Sequence, residues 1–248
     1  MVLLLQYTLI FASVLMLVAL GGCFSEHSGV INLGLEGIMV IGGVAGVLTL
    51  TMLPASLSPF LVVLISILVA ALAGVIYSLL LAFASINLKA DQTIGGTALN
   101  LMAPALVLFF IRIIANQNTL QMLTGDAASW FMIKKSTLGI DKNTDLGFFG
   151  ETFVNKVYLA TYVCILLFII LSILLYKTRF GLRLRACGEH PQAADSVGIN
   201  VYKMRWAGVL ISGLLGGLGG IVYITAGVSE WKFENGVAGF GFRSLAVM

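Results

Sequence analysis

The chain has 248 residues, of which 59% are apolar and only 10% are charged. Soluble domains carry about 25% charged residues, so this composition excludes an ordinary water-soluble globule. The formal net charge of +3 is too small to indicate a nucleic-acid-binding protein. Long apolar runs instead predict an all-α fold, that of a polytopic helical membrane protein in contact with lipid.

A spanning helix needs about 20 mainly apolar residues. The candidate spans are Val2–Gly22, Gly37–Leu53, Pro59–Ile86, Thr97–Ala115, Val157–Tyr176 and Trp206–Val228. We therefore predict about six or more spans in one transmembrane domain that covers residues 1–248.

The first span ends in "LGGC", which is similar to a lipoprotein cleavage site before Cys23. A signal peptide also needs a positively charged start, and the first basic residue of this chain is Lys89. We expect the run to be retained as a span. Cys23, Cys164 and Cys187 lie far apart and are expected to be small buried apolar residues, not a disulfide or metal framework.

Residues 23–37 separate the first two spans and are short, polar and rich in glycine. They predict a broken or re-entrant segment packed inside the protein, because lipid cannot satisfy free backbone groups. If the segment is helical, Ser28, Asn32 and Glu36 share one face, just after Glu26. Two interpretations remain open: a solute path lined by Ser28, Asn32 and Glu36, or a buried hydrogen-bonded cap.

Residues 89–100, "KADQTIGGTALN", precede and open the fourth span. Asp91, followed by Gln92, is typical of a helix N-terminus, where an acidic side chain complements the helix dipole. We expect Glu26, Asp91 and Gln92 to have structural or gating roles. Asn100 falls inside the span, where it would either contact solute or bridge helices.

Two polar connections determine the predicted topology. Residues 116–156 are balanced in charge, whereas residues 177–205 are strongly basic. The basic residues of the second connection are Lys177, Arg179, Arg183, Arg185, Lys203 and Arg205. The positive-inside rule places 177–205 in the cytoplasm and 116–156 outside. Counting spans backwards then places the N-terminus outside, provided that residues 23–37 do not cross.

Glycines spaced by four residues occur in two spans, as Gly42 and Gly46 and as Gly213 and Gly217. Small residues at this spacing let helix backbones approach closely. We expect packing within the bundle, with a gate at a dimer interface as the alternative.

The sequence lacks the motifs of an enzyme. It contains no GxxxxGK[ST] loop, no HExxH and no recognisable nucleophile, base and orienting group. We therefore predict no catalytic residues, no metal site and no cofactor bound by this chain.

The basic connection also carries a helix signal. Pro191 suits the first position of a helix, and "PQAADSVG" predicts one or two short turns that end at Gly198. A short amphipathic helix there could be a docking surface. Alternatively, the basic residues only set the topology.

Three segments together resemble one known family. They are "SEHSGVINLGLEGIMVIGG" (25–43), "ADQTIGGTALN" (90–100) and "GLRLRACGEHPQAADSVGINVYKMRWAGVLISGLLGGLGG" (181–220). They are similar to permease subunits of bacterial ABC importers of the branched-chain amino acid and ribose permease superfamily. Within that superfamily they look most like the nucleoside or simple-sugar branch.

The resemblance implies uptake of a nucleoside or simple sugar by alternating access in the bacterial cytoplasmic (inner) membrane. It implies a second permease subunit, identical or related, an ABC ATPase subunit that holds the ATP and Mg, and an external lipoprotein solute-binding receptor. Residues 181–200 match the ATPase-contacting segment of the family, which favours the docking surface over the topology-only alternative. The residues predicted to couple to the ATPase are Arg185, Gly188, Glu189, Pro191, Ala194, Asp195 and Gly198.

The sequence departs from the family at its end. The family continues beyond a "GFxxLA" segment into further spans, whereas this chain stops after "GFGFRSLAVM". We therefore expect the C-terminal end to be truncated relative to the family. Two rivals to the importer remain: an ion-coupled secondary transporter that uses Glu36 and Asp91 as cation or proton sites, and a membrane scaffold without transport activity.

Overall fold

The structure, a computed structural model, describes residues 2–53, 57–115, 119–121, 132–133, 147–153, 157–228, 230–232 and 239–247. Its helices are α1 (Val2–Glu26), α2 (Leu35–Met52), α3 (Pro59–Ala82), α4 (Gln92–Ala115), α5 (Gly147–Phe153), α6 (Leu159–Lys177), α7 (Arg179–Glu189), α8 (Pro191–Ser196), α9 (Val201–Val222) and α10 (Phe240–Leu245). Wider π-helical turns extend α3 through Phe83–Asn87 and α9 through Tyr223–Val228.

Six helices of the described residues are long and apolar enough to cross a membrane. They are α1, α2, α3, α4, α6 and α9. The prediction of an all-α polytopic membrane protein is confirmed. Two short antiparallel ladders accompany the helices: β1 (Thr119–Gln121) pairs with β4 (Glu230–Lys232), and β2 (Met132–Ile133) pairs with β3 (Val157–Tyr158).

The centre of the bundle is formed by α2, α3 and α9, which touch through glycine. A Cβ on Gly42 would collide with the backbone of Gly217, and a Cβ on Gly74 would collide with the carbonyl oxygen of Gly213. Close backbone approach of this kind is how small residues join helices in membranes. These glycines therefore pack inside the subunit, as expected, and are not free for a dimer interface.

The periphery is apolar and exposed, as lipid contact requires. Helix α4 packs mainly on α2 and leaves Leu101 80% exposed, while α6 leaves Leu166 58% exposed. The cysteines behave as expected of small apolar residues, since Cys164 and Cys187 are buried and Cys23 is half-buried within α1.

The two ends of the bundle carry different connections. The amide of Gln6, near the start of α1, donates to the carbonyl of Thr152 at 3.5 Å, so the first residues of α1 lie beside α5 in the predicted external connection. The last residues of α1 lie at the opposite end, beside the basic helix α7. The start of α1 therefore lies at the end of the bundle that carries the predicted external connection, as the span count predicted.

Candidate functional site

The break between α1 and α2 begins with a tight turn that is locked by serine hydroxyls. We call residues 27–34 the junction. Ser25 Oγ donates to the Val30 carbonyl at 2.6 Å, and Ser28 Oγ donates to the Ser25 carbonyl at 2.6 Å. Both serines are fully buried. The second bond satisfies a carbonyl in the last turn of α1, and the first satisfies the carbonyl of Val30 in the non-helical chain that follows.

Ser28 is covered by α9, whereas Glu26 is exposed. A Cβ added to Gly208 of α9 would lie 2.5 Å from Ser28 Cβ, so the α9 backbone covers the serine directly. Glu26 ends α1 with an exposed side chain. The junction itself is non-helical, so the condition under which Ser28, Asn32 and Glu36 would share one helical face is not met. Gly29, with φ of 87°, provides the chain reversal that a continuous helix would not allow.

Asn32 ties the junction to α9. Its Nδ2 donates to Ser212 Oγ at 2.9 Å, and its Oδ1 accepts from the Gly34 N–H at 3.1 Å. Asn32 and Ser212 are both fully buried, and Ser212 lies halfway along α9. The chain after Val30 thus reaches far into the bundle, where its backbone N–H and C=O groups need hydrogen-bond partners from the protein. The predicted re-entrant segment is present.

Asn100 ties the same region to α4. Its Oδ1 accepts from the Gly37 N–H at 2.8 Å, and its Nδ2 donates to the Leu33 carbonyl at 2.8 Å. Of the two roles open to Asn100, the structure shows helix bridging. Residue Gly37 allows the close approach, since a Cβ there would lie 2.9 Å from the Leu99 carbonyl.

Glu36 lies in the first turn of α2 and caps another helix. Its Oε1 accepts from the Gly239 N–H at 2.9 Å, and its Oε2 accepts from the Gly241 N–H at 2.6 Å. These amides belong to the first turn of α10, so the carboxylate complements the positive end of that helix. The Cα of Gly241 packs so closely on the backbone of Glu36 that a Cβ would collide with it.

Asp91 and Gln92 have the structural roles expected of them. Asp91 Oδ1 accepts from the N–H groups of Thr93 at 2.7 Å and Ile94 at 3.2 Å, which caps α4. Hydrogen bonds from the backbone of Ile94 and Thr93 hold the pKa of Asp91 below its usual range. Gln92 Oε1 accepts from the Ile31 N–H at 2.7 Å and so fastens the junction to the start of α4.

The basic connection, residues 177–205, contains two short helices. Helix α7 is amphipathic, with Gly181, Leu184 and Cys187 buried. Arg185 donates to the Tyr176 carbonyl at 3.5 Å, and its guanidinium carbon lies 5.3 Å from the centre of the Tyr176 ring. Arg185 is therefore partly engaged with the end of α6.

The second helix, α8, begins at Pro191 and is followed by Gly198 with φ of 83°, as the sequence predicted. Within α8, Ala194 is buried and Asp195 is exposed. Glu189, at the end of α7, is also exposed. The exposed carboxylates are the part of the predicted coupling segment that a partner can reach. Gly188 is different, because a Cβ on it would lie 2.5 Å from the His27 carbonyl oxygen.

Sequence reasoning missed the partners of these residues. Ser25, Ser212 and Gly208 complete the junction, and Gly239 and Gly241 complete the contacts of Glu36. Their signals are weak in sequence, since serine and glycine are common in membrane helices for packing reasons alone.

Within the described residues, no group of three or more His, Cys, Asp or Glu side chains is placed to hold a metal ion. An apolar groove of about 180 Å³ lies elsewhere, between α1, α3, α6 and α9, and contains none of the polar junction residues. The polar groups of the junction named above connect α1, α4 and α9 by hydrogen bonds.

Comparison with known proteins matches residues 4–248 to the family described as "Branched-chain amino acid transport system / permease component". The nucleoside ABC transporter permease protein NupC of Lactococcus lactis subsp. cremoris is 42% identical over 243 residues, which is 97% of this chain and 72% of that protein. The guanosine ABC transporter permease protein NupQ of Bacillus subtilis is 41% identical over 244 residues, again 97% and 72%.

A more distant relative is the putative glucose ABC transporter permease protein TsgC13 of Haloferax volcanii. It is 29% identical over 245 residues, which is 99% of this chain and 69% of that protein. No solved structure matches the chain significantly.

Proposed function

This chain belongs to the family of permease components of branched-chain amino acid transport systems, and we propose that it is the permease subunit of an ABC importer that takes up a nucleoside. It is a multi-pass protein of the cytoplasmic membrane and a transport subunit, not an enzyme. The observation that carries the proposal is the similarity, over nearly the whole chain, to two permeases whose names specify nucleoside or guanosine.

The choice of nucleoside over sugar follows the same comparison. NupC and NupQ, at 42% and 41% identity, are more similar to this chain than the relative named for glucose, at 29%. The junction residues do not discriminate between solutes, because their polar atoms bond to protein.

The energy for transport has to come from a partner. The sequence contains no phosphate-binding GxxxxGK[ST] loop, so ATP and Mg would be held by a separate ATPase subunit. Helices α7 and α8 supply a basic, partly apolar surface at one end of the bundle, with Leu182 62% and Val197 73% exposed. A second permease subunit and an external receptor would complete the importer, and no cofactor would bind to this chain.

The ion-coupled alternative is not favoured. Asp91 caps α4, and both carboxylate oxygens of Glu36 accept backbone N–H groups of α10. Within the described residues, neither carboxylate belongs to a group of three or more His, Cys, Asp or Glu side chains that could hold a cation.

The function is tested by uptake into proteoliposomes that contain the permease, its ATPase and the receptor. We expect uptake of labelled guanosine to need ATP, to survive an uncoupler, and to be inhibited by other nucleosides more than by glucose. Uptake that an uncoupler abolishes would support the secondary transporter instead. Inhibition by glucose alone would assign the substrate to the sugars.

The ATPase contact is tested by reversing a charge on the exposed end of α7. We expect Glu189→Lys to lose the ATPase on purification or to separate ATP hydrolysis from uptake, with receptor binding retained. Ala90→Lys is the control, because Ala90 is exposed at the same end of the bundle but outside residues 177–205. Full ATPase retention and normal uptake in Glu189→Lys would contradict the assignment.

A further inference from the structure

The backbone of α7 at Gly188 packs directly against the turn at the end of α1. A Cβ on Gly188 would lie 2.5 Å from the carbonyl oxygen and 3.0 Å from the carbonyl carbon of His27. A Cβ on Gly29 would lie 3.4 Å from Gly188 Cα and 3.5 Å from two guanidinium nitrogens of Arg205. Because no flexible side chain lies between the two backbones, a displacement of α7 reaches the turn without being absorbed.

The turn is built to move as a unit. The hydroxyls of Ser25 and Ser28 close it with two buried hydrogen bonds of 2.6 Å, and the Val30 N–H adds a bond to the Ser25 carbonyl at 3.2 Å. The chain beyond it, residues 30–32, forms no regular secondary structure. We expect the closed turn to shift as a unit and the irregular segment to bend after it.

The far end of the junction is attached to α10. Glu36 holds the first turn of α10 through two hydrogen bonds from Gly239 and Gly241. The Phe240 ring centre lies 5.3 Å from that of Phe11 in α1 and 4.8 Å from that of Tyr223. Helix α10 therefore lies inside the bundle, against the middle of α1. It is bonded to the start of α2, which is also where the junction ends.

We propose that residues 27–36 form a relay that transmits displacement of α7 to α10. The relay rests on the proposed function, because an ATPase has to move α7. When α7 moves, the turn shifts together with Gly188. The Asn32–Ser212 hydrogen bond then guides residues 30–32 along α9. Glu36 transmits the movement to α10. Gly188 and Glu36 are positioning residues in this scheme, and neither contacts the solute.

The test uses the reconstituted complex and follows hydrogen exchange of the amides in residues 239–247 with and without ATP and vanadate. In the wild type we expect ATP to change exchange in α10 roughly tenfold, within the usual range of coupling between sites. Assembled Gly188→Ala complexes that still hydrolyse ATP should lose the ATP-dependent change in α10 and most of their uptake. Gly95→Ala is the matched control, since a Cβ there meets only Leu81 Cδ1 at an ordinary 3.5 Å.

A second variant acts at the other end of the relay. Glu36→Gln has one acceptor oxygen in place of two, so one N–H of the first turn of α10 loses its partner. We expect faster exchange in α10 without ATP, no further response to ATP, and an unchanged response in the turn that ends α1. If Gly188→Ala fails to assemble, Glu36→Gln alone tests the relay. Loss of the ATP response in α10 with a retained response in the turn that ends α1 supports it.

The outcomes separate the relay from the proposed function. Absence of ATP-dependent uptake in the wild type would remove the function and the relay with it. ATP-dependent uptake with no response of α10 would overturn the relay and leave the function intact. Gly188→Ala that retains uptake and the α10 response would also overturn it, as would loss of the ATP response at both ends in Glu36→Gln.

Discussion

Individual polar side chains in this bundle satisfy the backbone where helices are interrupted. Asn100 bonds one N–H and one carbonyl at the start of α2, and Glu36 bonds two N–H groups of α10. In lipid, each such group left without a partner is expensive, so the interruption and its polar partner have to occur together. These residues therefore stabilise the fold before they can have any effect on transport.

Replacing Asn100 tests this role directly. We expect Asn100→Leu to lower the free energy of unfolding by about 2–4 kcal/mol, because the Gly37 N–H and the Leu33 carbonyl lose their partners in a buried site. Equilibrium unfolding in mixed detergent measures the loss. Thr97→Val is the control, since Thr97 is exposed and its hydroxyl bonds only to its own helix. A loss in Asn100→Leu no larger than that of the control would contradict the bridging role.

The cap of α4 predicts a dependence on pH. Backbone hydrogen bonds from Ile94 and Thr93 hold the pKa of Asp91 below its usual range, so the folded state binds this proton less readily than the unfolded state. Its contribution to stability is complete above the ordinary pKa of Asp, about 3.9, and is lost as the pH falls through the lower folded value. Asp91→Ala should lower the melting temperature at pH 7, and the difference from the wild type should shrink towards pH 3.

Asp91→Asn provides the comparison for that experiment. Asparagine caps a helix through its side-chain oxygen but does not titrate, so it should retain most of the stability at pH 7 and show no such decline. A difference between wild type and Asp91→Ala that stays constant down to pH 3 would show that the ionised carboxylate is not the source of the stability.

At the scale of helices, the bundle depends on backbone contact between α2, α3 and α9. Gly42 meets Gly217 and Gly74 meets Gly213, with no room for a Cβ at either contact. Close approach of this kind brings many main-chain atoms into van der Waals contact, which drives association where lipid removes the hydrophobic effect between helices.

An added methyl group should separate these helices. We expect Gly74→Ala to lower the free energy of unfolding by about 1–3 kcal/mol, the usual cost of overpacking, despite the better helix propensity of alanine. Gly95→Ala provides the reference, since the same methyl group meets only ordinary contact there. Denaturation of both variants in the same detergent gives the comparison. Equal stability of the two proteins would show that α3 and α9 are not held at this distance.

The sequence predicted the helices better than their ends. Hydropathy identified the six spanning helices of the described residues, because about 20 apolar residues are needed to cross lipid. Helix α1, however, continues past Gly22 to Glu26, and α4 begins at Gln92 and not at Thr97. These ends are set by polar residues such as Asp91 and Ser28. Hydropathy scores such residues against a helix, although they satisfy its terminal groups.

The candidate site was predictable only in part. That residues 23–37 interrupt the helices followed from their polarity and glycine content. The partners did not, since Glu36 meets Gly241 and Asn32 meets Ser212 across large separations in the chain. A pattern within one segment carries no information about which distant backbone group will lie beside it. The same limit concealed the contact between Gly188 and His27.

At the scale of the whole molecule, the charge distribution and the fold agree on one topology. Helices α7 and α8 lie at the end of the bundle where α1 finishes and α4 begins, whereas α5 lies beside the start of α1 at the other end. The positive-inside rule places the basic end in the cytoplasm. The ATPase surface proposed on α7 and α8 is then on the side where ATP is available.

Labelling with an impermeant thiol reagent tests that topology in intact cells. Ser196→Cys, exposed at the end of α8, should react only after the membrane is permeabilised, and Ser136→Cys, in the predicted external connection, should react before it. Cys23→Ser removes the native cysteine that is not fully buried, and the parent without new cysteines gives the background. Labelling of Ser196→Cys from outside would place α7 and α8 on the receptor side. The ATPase contact and the relay would then both fail, because no ATP-driven partner could reach Gly188.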